Sequence, residues 1–252
     1  MTSKHITIVS HNAFWFQGHP FETDAPEDPV SEIVAGLEGL YRSKTPDVIC
    51  LQEIQSEFAF RCAREALDMD GAYCPGGHYS QYGGATLWRR GKLIVDIRSV
   101  NRLPQRMWQI TAVARHGAEP LTVANVHLAS ARHLGEDGAA PSRIQDLEQM
   151  LTQKVRPLVV AGDFNEAPDG GASEYMASQG YVDTAPLTSH PEISTGINKA
   201  RSDQIWVHRS LREHVEEFGV IAREELKTTA AGKELLSDHQ PLWLRLKLNG
   251  LR

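Results

Sequence analysis

The sequence is short of sulfur, of long apolar runs and of positive charge, and each shortage removes a class of explanation. Three cysteines in 252 residues, Cys50, Cys62 and Cys74, are an odd number without Cys-x-x-Cys spacing, which argues against both a zinc knuckle and a disulfide framework. They read as reduced, mostly buried thiols. No stretch has the apolar length of a signal peptide or a bilayer span, and Met1-Thr2-Ser3-Lys4-His5 runs straight into the strand-like Ile6-Thr7-Ile8-Val9. The expectation is a cytoplasmic protein with no transmembrane segment. The net charge of -6, from 26 basic and 32 acidic residues, argues against a protein that coats nucleic acid. A local basic face is still allowed. Arg89, Arg90, Lys92, Arg98, Arg102 and Arg106 are opposed in their stretch only by Asp96, whereas Gln17 to Pro29 concentrates Glu22, Asp24, Glu27 and Asp28. Internal repeats and low-complexity tracts are also missing.

What is present is enough apolar residue, 41% of the chain, for one large domain over residues 1–252 that buries roughly 70–75% of its unfolded surface. Ile6 to Ser10 reads as a strand that ends at His11-Asn12. The aromatic cluster Phe14-Trp15-Phe16 behind it reads as core, and Val30 to Tyr41 carries apolar residues at helical spacing. Val48 to Leu51 is an apolar run of buried-strand length that stops at Gln52-Glu53, with a helix expected from Phe58 to Leu67. From Tyr79 the texture turns to strands: Ala85 to Trp88, Leu93 to Val100, Met107 to Arg115 and Leu121 to His127. A Gly/Ala-rich loop around Gly135 to Ala140 should lead through Pro141 into a helix from about Ser142 to Gln153. A strand ending at Gly162, a short helix near Ser173 to Ser178, a strand from Arg201 to Val207 and a closing strand from Leu242 to Leu248 complete the reading.

Chemistry concentrates where strands stop. Val159-Val160-Ala161-Gly162 runs out of apolar residues and then presents Asp163 and Asn165, two residues apart and so on one face of the strand end. Asp163 can take or hold a proton, and Asn165 can both donate and accept. The same four residues equally suit a turn that closes a buried strand. Asn12 and Glu53 stand at two other strand ends, Glu53 as a natural ligand for a hard cation or as an ordinary helix-start acid. His127 lies near the end of its strand, Asp203 opens another, and Asp238-His239 sits between Leu235-Leu236 and the closing strand. Taken singly, each has a bland reading as a turn, surface or core residue. Arg106, Trp108, Lys199 and Arg201 are read as surface and packing residues rather than substrate contacts.

The order of these motifs is more specific than any one of them. Asn12, Leu51-Gln52-Glu53, Asn125-Val126-His127-Leu128, Gly162-Asp163-Phe164-Asn165, Arg201-Ser202-Asp203 and Ser237-Asp238-His239 together resemble the endonuclease/exonuclease/phosphatase superfamily, over nearly the whole chain. That group includes deoxyribonuclease I, abasic-site endonucleases, neutral sphingomyelinases and inositol polyphosphate 5-phosphatases. The resemblance implies an α/β four-layer sandwich, two packed, mixed but mostly antiparallel sheets flanked by helices. It implies Mg²⁺, with Mn²⁺ as a substitute, held chiefly by Glu53, with Asn12 close to metal or phosphate and Asp238 supporting the metal or its waters. It further implies that Asp163 activates the attacking water, that Asn165 orients water and phosphate, that His239 contacts the scissile phosphate with Asp203 orienting it, and that His127 is a second phosphate-facing histidine. Phe14 departs from the abasic-site endonucleases, which carry an acid there, and this weakens a DNA-repair assignment.

Elementary chemistry agrees with that division of labour, because attack on an anionic phosphodiester needs a hard cation and hydrogen-bond donors to neutralise developing charge. The expected substrate is a phosphodiester, a nucleic acid first and a small or lipid-derived phosphoester second, with a silent binding module on the same scaffold as the third reading. No protein partner is implied.

Overall fold

The chain builds two sheets because its strands fall into two runs, each with one parallel step at its centre. The computed structural model describes residues 5–21, 25–101, 106–115, 119–188, 193–197 and 201–248. Glu22, Asp24, Arg102 and Lys199, with the side chain of Arg98, lie outside the described residues. The first half runs β1 (His5–Asn12), α1 (Ser31–Arg42), β2 (Val48–Ile54), α2 (Glu57–Ala66), β3 (Met69–Cys74), β4 (Gly83–Arg89), β5 (Ile94–Asn101) and β6 (Met107–Ala114). The second runs β7 (Leu121–His127), α3 (Ala131–Leu151), β8 (Val159–Asp163), α4 (Gly171–Ser178), β9 (Tyr181–Asp183), α5 (Thr184–Leu187), β10 (Asp203–His208), β11 (Val215–Val220) and β12 (Leu242–Lys247).

One six-stranded sheet has the order β11-β12-β1-β2-β4-β3 and the other β5-β6-β7-β8-β10-β9. β1 and β2 pair in parallel, joined by α1, and so do β7 and β8, joined by α3. Every other strand pair is antiparallel. The mixed, mostly antiparallel sandwich flanked by helices is therefore as expected.

Strand alternation sorts the core into layers. Ile6, Ile8, Val48 and Cys50 from one sheet meet Val123, Val159, Ala161 and Ile205 from the other. Val9, Ile49 and Leu51 point the opposite way, onto Ile33, Leu37 and Leu40 of α1 and Phe60 of α2. On the far side Ala124, Val126 and Val160 pack under Leu147 and Met150 of α3 and Met176 of α4.

The Gly/Ala-rich segment departs from expectation: it is helical. α3 begins at Ala131, breaks at Gly135 in left-handed backbone (φ 66°), and continues through Pro141. A glycine supplies that break without a Cβ penalty, and Glu136 then reaches two turns along to Arg143 at 2.6 Å, fastening the small-residue stretch to the rest of the helix. The strand expected from Arg201 starts two residues later, at Asp203. Three strands, β3, β9 and β11, carried no sequence signal, and all three are sheet edges.

Asp146 is the anomaly of this packing. It lies on the buried face of α3 and is 6% exposed, and burial pushes its carboxyl up to about 7. Between about pH 4 and pH 7 the folded chain keeps a proton that the unfolded chain has lost, so stability falls as pH rises through that window. Asp146→Asn should raise Tm at pH 8, by a free energy on the order of 2–4 kcal/mol, and leave Tm nearly unchanged at pH 4. Parallel thermal melts of the two proteins check this; equal shifts at both pH values would count against it.

Candidate active site

Register brings the candidate residues together. Asn12 ends β1 and pairs with Gln52, which places Glu53 one step further along β2. His127 ends β7 beside Asp163, the end of β8. The antiparallel neighbours begin where these strands stop: Asp203 opens β10 opposite Asp163, and Met107 opens β6 opposite His127. Ser10 pairs with Leu242, so the segment Ser237-Asp238-His239 precedes β12 at the same edge. All eight predicted site residues thus lie at one end of the sandwich.

The backbone there is tightly constrained. A Cβ on Gly162 would lie 1.9 Å from the Val126 carbonyl oxygen, so only glycine lets β8 run this close to β7. Glu53 (φ 54°) and Asn165 (φ 52°) are left-handed, as are Phe14, Trp15 and Phe16, which follow Asn12 after Ala13. Left-handed non-glycine residues cost on the order of 1 kcal/mol each and persist where surrounding structure fixes them. The aromatic turn is fixed by burial of all three rings, as expected for core.

Two linked groups of side chains form the site. In the first, Asn12 Nδ2 donates to Asp163 Oδ2 at 3.1 Å, while the Asn165 backbone N–H donates to Asp163 Oδ1 at 2.8 Å. Asn12 Oδ1 accepts from the Phe14 N–H, and Asn165 Nδ2 donates to the Leu128 carbonyl. The Asp163 carboxylate is thereby held in one orientation. In the second, His239 Nδ1 donates to Asp203 Oδ2 at 2.7 Å, and His239 Nε2 stands 4.0 Å from Asp238 Oδ1. Glu53 Oε1 lies 3.6 Å from Arg106 and 3.8 Å from His127 Nε2, and the same nitrogen is 3.6 Å from Asp163.

Burial sets the electrostatics. Glu53 is pushed up to about 7 by burial, with Arg106 pulling the other way and Asp238 adding to the rise. Asp163 is raised by burial and then by Asp203, and Asp238 is raised by burial despite His239. Burial also opposes a charge on His239, but Asp203 outweighs it, and with Asp238 and Asp163 holds the ring well above the ordinary imidazole value. His127 goes the other way, well below its ordinary value, because it is buried and faces Arg106 and His239. One imidazole is therefore a cation and the other neutral near pH 7.

Arg106 corrects the sequence reading. It is not a surface residue: it is 4% exposed, contacts His127 Nε2, and stacks its guanidinium 4.2 Å from the Tyr82 ring. Its position immediately before a strand that pairs with His127 was the signal available. Arg201 is also buried, paired with Asp183 rather than with the site. Trp108 is core, as expected. Asn125 was visible as part of a motif and without a role; it ties the sheets together, donating to the Leu51 and Ala85 carbonyls and accepting from Gln52.

The basic stretch does not form one face. Arg89, Arg90 and Lys92 line a 420 Å³ cavity with Thr45 and Pro46, before the start of β2 and at the opposite end from Arg106. Beside the candidate site is a cleft of about 440 Å³ lined by Asn165, Glu166, Ser202, Asp238 and His239.

The donor set suits a hard cation. The Oδ1 atoms of Asp203 and Asp238 are buried and have no hydrogen-bond partner among the described residues, and Glu53 has only the two longer ionic contacts given above. Ligand atoms of Asp163, Asp203 and His239 lie within 4.8 Å of one another. Since Asp203 already holds His239, that trio reads better as an ion pair beside a carboxylate than as three metal ligands. Four carboxylates, Glu53, Asp163, Asp203 and Asp238, face two cations, Arg106 and His239. A set dominated by carboxylate oxygens fits Mg²⁺ or a similar hard ion, whereas zinc favours more His or Cys.

Comparison with known proteins agrees with the fold. An Endonuclease/Exonuclease/phosphatase family protein from Bacteroides thetaiotaomicron is similar over 98% of this chain and 99% of its own, with a TM-score of 0.71 at 19% identity. The mannosyl-6-phosphatase Bt3783 of Bacteroides thetaiotaomicron VPI-5482 is similar over 95% of this chain and 98% of its own, with a TM-score of 0.69 at 19% identity. TDP2 from D. rerio, complexed with a single-strand DNA product, is similar over 96% of this chain and 99% of its own, with a TM-score of 0.69 at 16% identity. At such identities these structures share the fold. No curated protein matches in sequence, and no helix among the described residues is long and apolar enough to cross a membrane. The family model for Endonuclease/Exonuclease/phosphatase proteins matches residues 10–239, a span that holds every candidate site residue, and the chain belongs to that family.

Proposed function

We propose that this chain is a Mg²⁺-dependent phosphodiesterase that cleaves by in-line attack of water, without a covalent enzyme intermediate. One juxtaposition carries the reading: an imidazolium held by Asp203 at 2.7 Å stands at the same sheet edge as a carboxylate, Asp163, oriented by two amide donors. Asp163 takes the proton from the attacking water, and its raised affinity for protons suits that work. Asn165 orients the water and a phosphate oxygen. His239 keeps Nδ1 on Asp203, leaving Nε2–H to donate to the phosphate as negative charge develops there. His127 is neutral and its Nε2 is taken by Arg106, so the guanidinium delivers the positive charge on that side. Glu53, Asn12 and Asp238 would hold the metal, which when bound supplies charge neutralisation at the phosphate.

Nucleic acid is the first substrate reading, on the family's chemistry. A second reading, a small phosphoester, has a specific observation in its favour: Arg89, Arg90 and Lys92 are remote from the cleft, where His239 is the one cationic side chain among the described lining residues. The similar folds include both a phosphatase and a protein complexed with a DNA product.

The deciding experiment is hydrolysis with Mg²⁺ or Mn²⁺ across plasmid DNA, abasic duplex, RNA, sphingomyelin, a sugar phosphate and bis-p-nitrophenyl phosphate. His239→Ala should lose about 10²–10⁴-fold in kcat on whichever substrate turns over. Turnover that survives His239→Ala, or no turnover anywhere in the panel, sinks the proposal. The pH dependence gives a further check. Because Asp203 raises His239, the alkaline limb of kcat/KM should lie well above pH 6.5, and Asp203→Asn should move it toward acid. An alkaline limb in the same place in both proteins would exclude His239 as the protonated donor.

A further inference from the structure

His11 adjoins Asn12 in sequence but faces the other side of the sheet, as strand alternation requires. It is 1% exposed, and nothing in the mechanism above uses it. Its Nδ1 lies 2.6 Å from the hydroxyl of Tyr41 on α1, and its Nε2 lies 3.1 Å from the backbone carbonyl of His239. A carbonyl oxygen can only accept, so Nε2 carries the ring proton. A neutral ring then has a lone pair at Nδ1, which the Tyr41 hydroxyl satisfies by donating. At 1% exposure and with both ring nitrogens already partnered, a charged ring here would be costly, so the neutral form is favoured.

The remaining contacts of His239 make the consequence concrete. Its backbone N–H donates to Ser237 Oγ at 3.1 Å, and that hydroxyl donates to the Asn12 carbonyl at 2.7 Å. Its ring Nδ1 is held by Asp203. The flanking peptide groups are tied to a neighbouring segment, Gln240 N–H to the Thr195 carbonyl at 2.6 Å and Ile197 N–H to the Asp238 carbonyl at 3.0 Å, and the His239 carbonyl itself accepts from His11. We propose that His11, locked as its Nε2–H tautomer by Tyr41, is a positioning residue that holds the peptide of His239 and thereby aims its Nε2 into the cleft. The chain Tyr41, His11, His239 runs from the helix layer, through the first strand, to the candidate phosphate donor. His11 touches no substrate.

The effect on turnover rests on the hydrolase reading, whereas the tautomer and the order of His239 do not. The test therefore has two arms. In ¹⁵N-histidine-labelled protein without substrate, a ring signal absent from the His11→Gln variant should show a protonated Nε2 and an unprotonated Nδ1. The hydrogen-bonded Nδ1–H of His239 should be sharp in the native protein and broadened or lost in His11→Phe. In the second arm, on bis-p-nitrophenyl phosphate, His11→Phe should lower kcat about tenfold with KM within about twofold. His11→Gln, which keeps one donor and one acceptor, should recover most of that loss. Tyr41→Phe should reduce kcat in the native background and have little further effect on His11→Phe, because the two act in series. A protonated Nδ1 on His11, or an unaltered His239 signal in His11→Phe, overturns the proposal whether or not the probe is hydrolysed. If His11→Phe does not fold, Tyr41→Phe and His11→Gln carry the same comparison. A wild type that hydrolyses nothing counts against the phosphodiesterase reading and leaves the spectroscopic arm to decide on His11.

Discussion

The constraint behind the whole site is directional. Each sheet has two parallel strands at its centre, and the strands flanking them run back, so the flanking strands start where the central ones stop. Parallel strands need a crossover, and α1 and α3 supply it, which forces helices onto the outer faces and leaves the inner faces to pack on each other. One edge of each sheet therefore collects both C-terminal ends of parallel strands and N-terminal ends of their neighbours. Asn12, Glu53, His127 and Asp163 come from the first kind, and Asp203 and Arg106 from the second. A residue one step out of register would point into the opposite layer, as His11 does beside Asn12.

Crowding acids at such an edge has a cost that the site turns to use. Burial and the neighbouring Asp203 raise Asp163; Asp203 is paired with His239, and Asp163 is held by two neutral amide donors. The result is asymmetric. One carboxylate is committed to an ion pair, while the other, oriented but without a fixed cation, keeps a raised affinity for protons. The two imidazoles divide in the same way, His239 toward the cation and His127 toward the neutral ring, because one faces acids and the other faces Arg106. Environment, not residue type, assigns the roles.

Much of this was legible in the sequence, and the parts that were not have a common physical reason. Central strands such as Leu121–His127 bury both faces and announce themselves as apolar runs, so their ends, and the site residues on those ends, could be located. Edge strands have one paired side and less to bury. Met-Asp-Gly-Ala-Tyr-Cys in β3 and Val-Glu-Glu-Phe-Gly-Val in β11 look like loops for that reason. The small residues of Gly135–Ala140 read as a loop because propensity cannot see the Glu136–Arg143 tie that makes them helical. Arg106 and His11 were missed because their significance is a contact between residues far apart in sequence, 3.6 Å across the sheets to Glu53 in one case and 3.1 Å to the His239 carbonyl in the other. No local pattern encodes either.

The same edge bears on how large a substrate the site favours. Affinity for a polyanion comes from several cations spaced along its backbone. In this chain the basic stretch of the sequence is divided by β4, β5 and β6: Arg89, Arg90 and Lys92 leave β4 at the far end of the sandwich, and Arg106 enters β6 at the near end. Arg106 is buried and already committed to Glu53, His127 and Tyr82, so it is not part of an exposed basic track. The cleft beside the site is lined by His239 and Asp238 together with Asn165, Ser202 and Glu166, whose carboxylate is held by Arg143 and the Ser173 N–H, and His239 is the one cationic side chain of that lining among the described residues. On the proposed hydrolase reading, and on the placement of the described charges alone, binding should depend on the reacting phosphate and the group directly attached to it, and depend little on what lies several phosphates away.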